Sequence, residues 1–141
     1  MSPTLVKDPL SKNLLIRLEI LQAGFMVVQW AEQLTASSVD EFYPRFIDAL
    51  KAQPGKTCVV GDFSRTKTGN MQAALRGIEW LGQSRPYILR AAGCGTNVFI
   101  ESMVKSVLIL SGRNDIRMFR SRSEAEAWAF AGMTTRLSTP F

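Results

Sequence analysis

Residues 116–130, IRMFRSRSEAEAWAF, set a short apolar strand, a serine cap and a tryptophan-bearing helix end to end with no residue to spare. Ser121 and Glu124 have the spacing of a capping box, and Ala125, Trp128 and Ala129 then fall on one helical face. A strand that runs straight into a helix with one apolar stripe must lay that stripe back on a sheet, which confines the chain to α/β architecture.

The same alternation recurs upstream. From Leu14 the run LLIRLEIL has period two and predicts a strand; Gln22, Ala23 and Gly24 are turn-like, and FMVVQW over residues 25–30 predicts a second strand in a hairpin. Ser38 and Glu41 match a capping box, followed by a helical stripe of Val39, Phe42, Phe46, Ala49 and Leu50, with Pro44 early in the helix. TCVVGD at residues 57–62 predicts a buried strand. A helix from about Asn70 places Met71, Ala74, Leu75, Ile78 and Leu81 on one side. Residues 87–92 predict a strand, GCGTN at residues 93–97 a tight turn, and a third helix carries Ile100, Met103, Val104, Val107 and Leu108 inward. The predicted fold is a single α/β domain of order ββαβαβαβα, a mostly parallel sheet with an antiparallel first strand and packed helices. Residues 1–13 are read as a flexible lead-in, 14–131 as the domain and 132–141 as a loose tail.

Composition narrows the chemistry. The chain has 141 residues, 46% of them hydrophobic, enough for one sizeable core. No apolar run approaches the roughly 18 residues of a membrane span, and the first dozen residues lack the apolar core of a signal peptide, so a cytoplasmic protein is expected. Cys58 and Cys94 sit in apolar strand-like runs, as reduced thiols do. Histidine is absent, which removes the commonest general base, the commonest metal ligand and every Ser-His or Cys-His nucleophile. No catalytic residue, metal site or cofactor is expected. Net charge is +5, and residues 63–90 hold Arg65, Lys67, Arg76, Arg85 and Arg90 against Glu79 alone, giving +4 there. Such a surface suits an acidic partner, although a solvated face is the more ordinary reading. The basic run around Phe119 comes with no recognition motif, and nucleic acid is not the expected partner.

FYPRFIDAL on the first helix, VVGDFSR at the end of a central strand and IRMFRSRSEAEAW at the C-terminus resemble the STAS superfamily, in particular its SpoIIAA-like (STAS/SEC14) branch, over residues 14–131. That branch tends to end in an arginine- or valine-flanked phenylalanine followed by a Glu-Ala-x-x-Trp helix. In the bacterial anti-sigma-factor antagonists of the superfamily, the loop after the central strand leads to an Asp-Ser-Ser-Gly motif whose serine is phosphorylated. Here Asn70, Met71, Gln72 and Ala73 stand in its place. The resemblance therefore implies a non-catalytic regulatory protein-interaction module of bacterial signalling whose phosphoacceptor is missing, or displaced to Ser64, Thr66 or Thr68.

The expected partner surface is the loop and second helix: Ser64, Arg65, Thr66, Lys67, Thr68, Asn70 and Arg76. A second expectation from a different class is a small-molecule, nucleotide or lipid-binding module. It would use the Gly93, Gly95, Thr96 and Asn97 turn as an anion or ligand loop, or the face between sheet and helices. Asp62, ending an apolar strand, is expected to cap the next turn. Trp30, Trp80 and Trp128 are expected in or beside the core. A homodimer through an apolar helix face or a sheet edge stays open.

Overall fold

A computed structural model describes residues 4–6, 16–112 and 115–138. The strands are β1 (Thr4–Val6), β2 (Ile16–Gln22), β3 (Phe25–Gln29), β4 (Gln33–Leu34), β5 (Thr57–Asp62), β6 (Thr68–Gly69), β7 (Ile88–Cys94) and β8 (Ile116–Phe119). The helices are α1 (Ala36–Lys51), α2 (Met71–Ser84), α3 (Val98–Ser111) and α4 (Arg122–Ser138), with a 3-10 turn at Arg85–Tyr87. Six strands form one sheet in the order β1-β2-β3-β5-β7-β8, and β4 pairs with β6 in a two-residue parallel ladder. The pairs β1 with β2 and β2 with β3 are antiparallel, whereas β3, β5, β7 and β8 run parallel. The α/β fold, its mostly parallel sheet and its antiparallel first hairpin are as the sequence predicts.

Boundaries differ most at the two chain ends and at the start of α1. Thr4–Val6 pair with β2 as an edge strand, which corrects the lead-in reading at those residues. Helix α4 continues past the expected end near Phe130 to Ser138, with Met133 only 7% exposed under the sheet, so the tail reading is corrected as far as 138. Residues 139–141 lie outside the described residues. Helix α1 begins before Ser38. Thr35 is its N-cap, its Oγ1 accepting from the Ser38 N–H at 3.1 Å while Ser38 Oγ accepts from the Thr35 N–H. Pro44 consequently lies inside the helix, where it has no N–H for the carbonyl of Asp40.

The sheet divides the core in two. On one face Ile16, Leu18, Met26, Val28 and Val59 meet Val39, Phe42, Phe46 and Leu50 of α1. On the other, Phe25, Val27, Cys58, Val60, Ala92 and Cys94 meet Ala125, Ala129 and Met133 of α4. Alanine at both contact turns lets α4 lie close on the sheet. Arg90 completes that face, its guanidinium 4.3 Å over the Trp128 ring and donating to the Trp128 carbonyl at 3.0 Å.

Helix α2 is fastened to α1 by Asp40. Its carboxylate accepts from Trp80 Nε1 at 3.0 Å and from Arg76 Nε at 2.6 Å, and Trp80 stacks on Tyr43 at 5.3 Å. The Trp80 hydrogen bond, followed by that of Arg76, holds Asp40 below its ordinary carboxylate value of 3.8. A carboxylate depressed in the folded state adds stability above its unfolded value and loses it as pH falls through the folded one. Asp40→Asn should therefore lower stability near neutrality by less than about 1 kcal/mol, the scale of a half-exposed pair. Denaturant titrations repeated across pH should show the gap to the parent closing below about pH 4.

Candidate functional site

At its centre the α1 side of the sheet has almost no side chains. Gly61, Ala91 and Gly93 occupy neighbouring positions on β5 and β7, and a Cβ at Gly61 would stand 3.0 Å from Trp30 Nε1, one at Gly93 2.5 Å from Met118 Sδ. Trp30 and Phe63 stack 5.6 Å apart over this floor, and Trp30 meets Phe42 edge-on at 5.5 Å. Over the floor stand Ala74, Gly77 and Leu81 of α2 and Ile100, Met103, Val104, Val107 and Leu108 of α3. Between them lies a cavity of about 170 Å³ whose lining side chains are all apolar apart from the polar tips of Trp30 and Tyr43. The space is partly open to solvent, and its volume and apolar lining are on the scale of a cavity that takes up benzene or xenon.

Of the two places proposed for a ligand, this one is the face between sheet and helices. The turn at residues 93–97 is different from expectation. Gly93 and Cys94 belong to β7, and of the glycines there only Gly95 has a positive φ, +76°. A Cβ at Gly95 would stand 2.8 Å from the Ser64 backbone nitrogen, so glycine is required for the close approach of two chain segments. Asn97 caps α3, accepting from the Ile100 N–H at 2.8 Å, while its amide nitrogen donates to the carbonyls of Thr66 (3.4 Å) and Lys67 (3.3 Å). Thr96 is half-buried beside it. Glu101 already sits in the first turn of α3, where its charge complements the helix dipole.

The two strand-to-helix loops do meet at one sheet edge, and the loop at residues 63–69 is tightly held. The Lys67 N–H donates to the Glu32 carbonyl at 2.8 Å, and β6 pairs with β4. Thr66, one of the three positions named for a displaced phosphoacceptor, is 3% exposed, its hydroxyl donating to the Ala31 carbonyl at 2.7 Å. Asn70 caps α2, accepting from the Ala73 N–H at 2.8 Å. Arg76 is bound to Asp40 and Glu79. Ser64, Arg65, Lys67 and Thr68 are exposed, with Lys67 3.7 Å from Glu32. Beside them Met71 and Leu75 are also exposed, so the apolar stripe expected to turn inward on α2 is split: Ala74 and Leu81 face the cavity, and Met71 and Leu75 face out.

Asp62 caps the turn as expected, accepting from the Ser64 N–H at 2.9 Å, and it also has a partner that sequence spacing could not indicate. Arg122, at the start of α4, stands 3.6 Å from its second carboxylate oxygen and is bound to Glu126 at 2.6 Å. The hydrogen bond to Glu126 raises Arg122 above its ordinary value. Cys58 and Cys94 are buried and not joined in a disulfide, and burial, then the charge of Asp62, pushes the Cys94 thiol up to about 11. A thiol so placed stays protonated near neutrality, without nucleophilic character. Among the described residues no three His, Cys, Asp or Glu side chains gather to hold a metal ion.

No curated protein matches the sequence. Solved structures do. A DUF3478 protein with a SpoIIAA-like fold from Shewanella loihica PV-4 matches at 16% identity and TM-score 0.61, over 81% of this chain and 91% of that one. The anti-sigma factor antagonist SpoIIAA in its unphosphorylated form matches at 12% identity and TM-score 0.54, over 88% and 99%. A sulfate transporter family protein from Wolinella succinogenes matches at 9% identity and TM-score 0.63, over 82% and 93%. These likenesses establish the fold. The sequence profile of the SpoIIAA-like family matches residues 25–131, from β3 into α4, and the chain belongs to the SpoIIAA-like family.

Proposed function

We propose that the chain is a non-catalytic binding module that takes an apolar small molecule, a ring or acyl segment, between the sheet and helices α2 and α3. The observation that carries this reading is the space of about 170 Å³ floored by Gly61, Ala91 and Gly93 and roofed by two helices. Its lining offers apolar contact and little else. That favours a lipid or hydrocarbon over a nucleotide, whose phosphates and base edges would be buried without partners. In support of a non-catalytic role, both Asp62 oxygens are engaged and Cys94 is held as a thiol.

Benzene or hexane should raise the melting temperature, since a ligand that binds only the folded state stabilises it by mass action. Backbone resonances of Gly61 and Gly93 should shift in the same titration. Gly77 lines the cavity and a Cβ there meets nothing within 4 Å, so Gly77→Leu starts from open space and adds its bulk on the cavity side. That variant should be more stable by about 0.5–1 kcal/mol from helix propensity alone and should lose the hydrocarbon-induced shift. A full shift retained in Gly77→Leu would place the ligand elsewhere.

A second reading is a regulatory protein contact in the bacterial cytoplasm, through Ser64, Arg65, Lys67 and Thr68. It is favoured by the exposure of Met71 (65%) and Leu75 (53%) next to that loop. A phosphate on Ser64 or Thr68 would add a charge of about −1.5 to −2 beside Arg65. In native mass spectra of the protein isolated from its host, the double variant Met71→Ser, Leu75→Ser should lose a bound protein that the parent retains. Retention by the variant would argue against this surface.

A further inference from the structure

We infer that the seam between α2 and α3 is the way into the cavity, and that the ligand is a single-chain amphiphile held with its tail inside and its polar head outside at the seam. This rests on the binding reading above. Outside the two helices lies a second space, a groove of about 270 Å³. Ala74, Met103 and Val107 line both the groove and the inner cavity, so these three side chains are the wall between them.

The wall is thin and deformable. Ala74 is small, and Met103 is an unbranched thioether that changes shape at little cost. Next to Ala74 on the cavity lining, Gly77 weakens the middle of α2 and has no packing neighbour that demands glycine. The polar bonds of α2 described above run toward α1, through Asp40, on the side away from α3. Across the seam the groove is walled by Leu75 and Ile78 of α2 facing Met103, Val107 and Leu110 of α3.

Polarity sets the ligand's orientation. A charged or strongly polar head inside the cavity would be desolvated without compensation. The groove, in contrast, carries Asn70, Ser102 and Ser106 along its open side, and Ser102 and Ser106 are exposed to water. The inner volume matches about six carbons by comparison with a cavity that holds benzene. A chain of about ten carbons would therefore fill the cavity, cross the wall at Met103 and leave its head among the serines.

The test uses straight-chain fatty acids from hexanoate to tetradecanoate, with hexane as the headless probe, measured by calorimetry on the full chain. Affinity should rise by about fourfold per methylene, the scale of burying one methylene, and level off near decanoate when cavity and groove are full. Ser102→Lys should tighten decanoate by roughly two- to fivefold and Ser102→Asp should weaken it by a similar factor, the scale of an exposed charge pair. Hexane affinity should be the same in all three proteins. Hexane binding with no gain from chain length, or decanoate binding indifferent to charge at residue 102, would overturn the seam and leave the cavity reading standing. Failure of hexane and every fatty acid to bind would overturn both.

Discussion

Small residues at the centre of the sheet fix the spacing of everything packed on it. On the α4 side the smallness is on the helix, with Ala125 and Ala129 meeting Ala92 and Cys94, and the helix seats directly on the strands. On the opposite side Gly61, Ala91 and Gly93 give the floor no bulk of its own, and Trp30, Phe63 and Met118 reach over the two glycines from its margins while the space beyond them is left open. A protein interior normally closes such gaps, because each unfilled volume forfeits dispersion contacts. One sheet thus has a sealed face and an open one, and the difference comes from three residues on two adjacent strands.

The polar groups are arranged around this asymmetry. Ionic and hydrogen-bonded contacts gather at the edges: Asp40 with Arg76 and Trp80 between α1 and α2, and Asp62 with Arg122 where β5 ends near the start of α4. The middle of the open face is left to hydrocarbon. Satisfied polar contacts specify geometry, and here the half-exposed Asp40 pair locates one flank of α2 on α1 and the buried Asp62 locates the start of α4. Met103 and Val107 on the inner face of α3 sit among apolar neighbours, which resist displacement in no particular direction.

Much of this was readable in advance. The predicted limits of the strands at residues 57–62 and 116–119 coincide with β5 and β8, because a continuous apolar run between turn residues has few alternatives. Asn70 and Asn97 stand at helix starts, as expected of side chains that accept from backbone N–H groups. The inward face of α3 was visible from its 3.6 periodicity. Other features were hidden for definite reasons. Gly93 reads as a turn residue by local preference, yet its place is decided by Met118, a side chain 25 positions away that fills the space above it. Thr35 caps α1 through Ser38, whereas the spacing from Ser38 to Glu41 offers an equally good local match. The Asp62–Arg122 pair joins residues 60 apart in sequence, and no periodicity encodes it. The cavity is an absence of side chains at positions brought together only by strand pairing, so the sequence showed its ingredients but not their juxtaposition.

Asn97 has one side chain and two duties. Its oxygen begins α3, and its nitrogen holds the carbonyls of Thr66 and Lys67 in the loop that leads to α2. Any sideways movement of α3 must either break those two bonds or drag the loop along, together with its exposed serine, arginine and lysine. The helix over the interior and the loop on the surface are in this sense a single lever with Asn97 as its pin, and the state of the inside is written on the outside of the molecule.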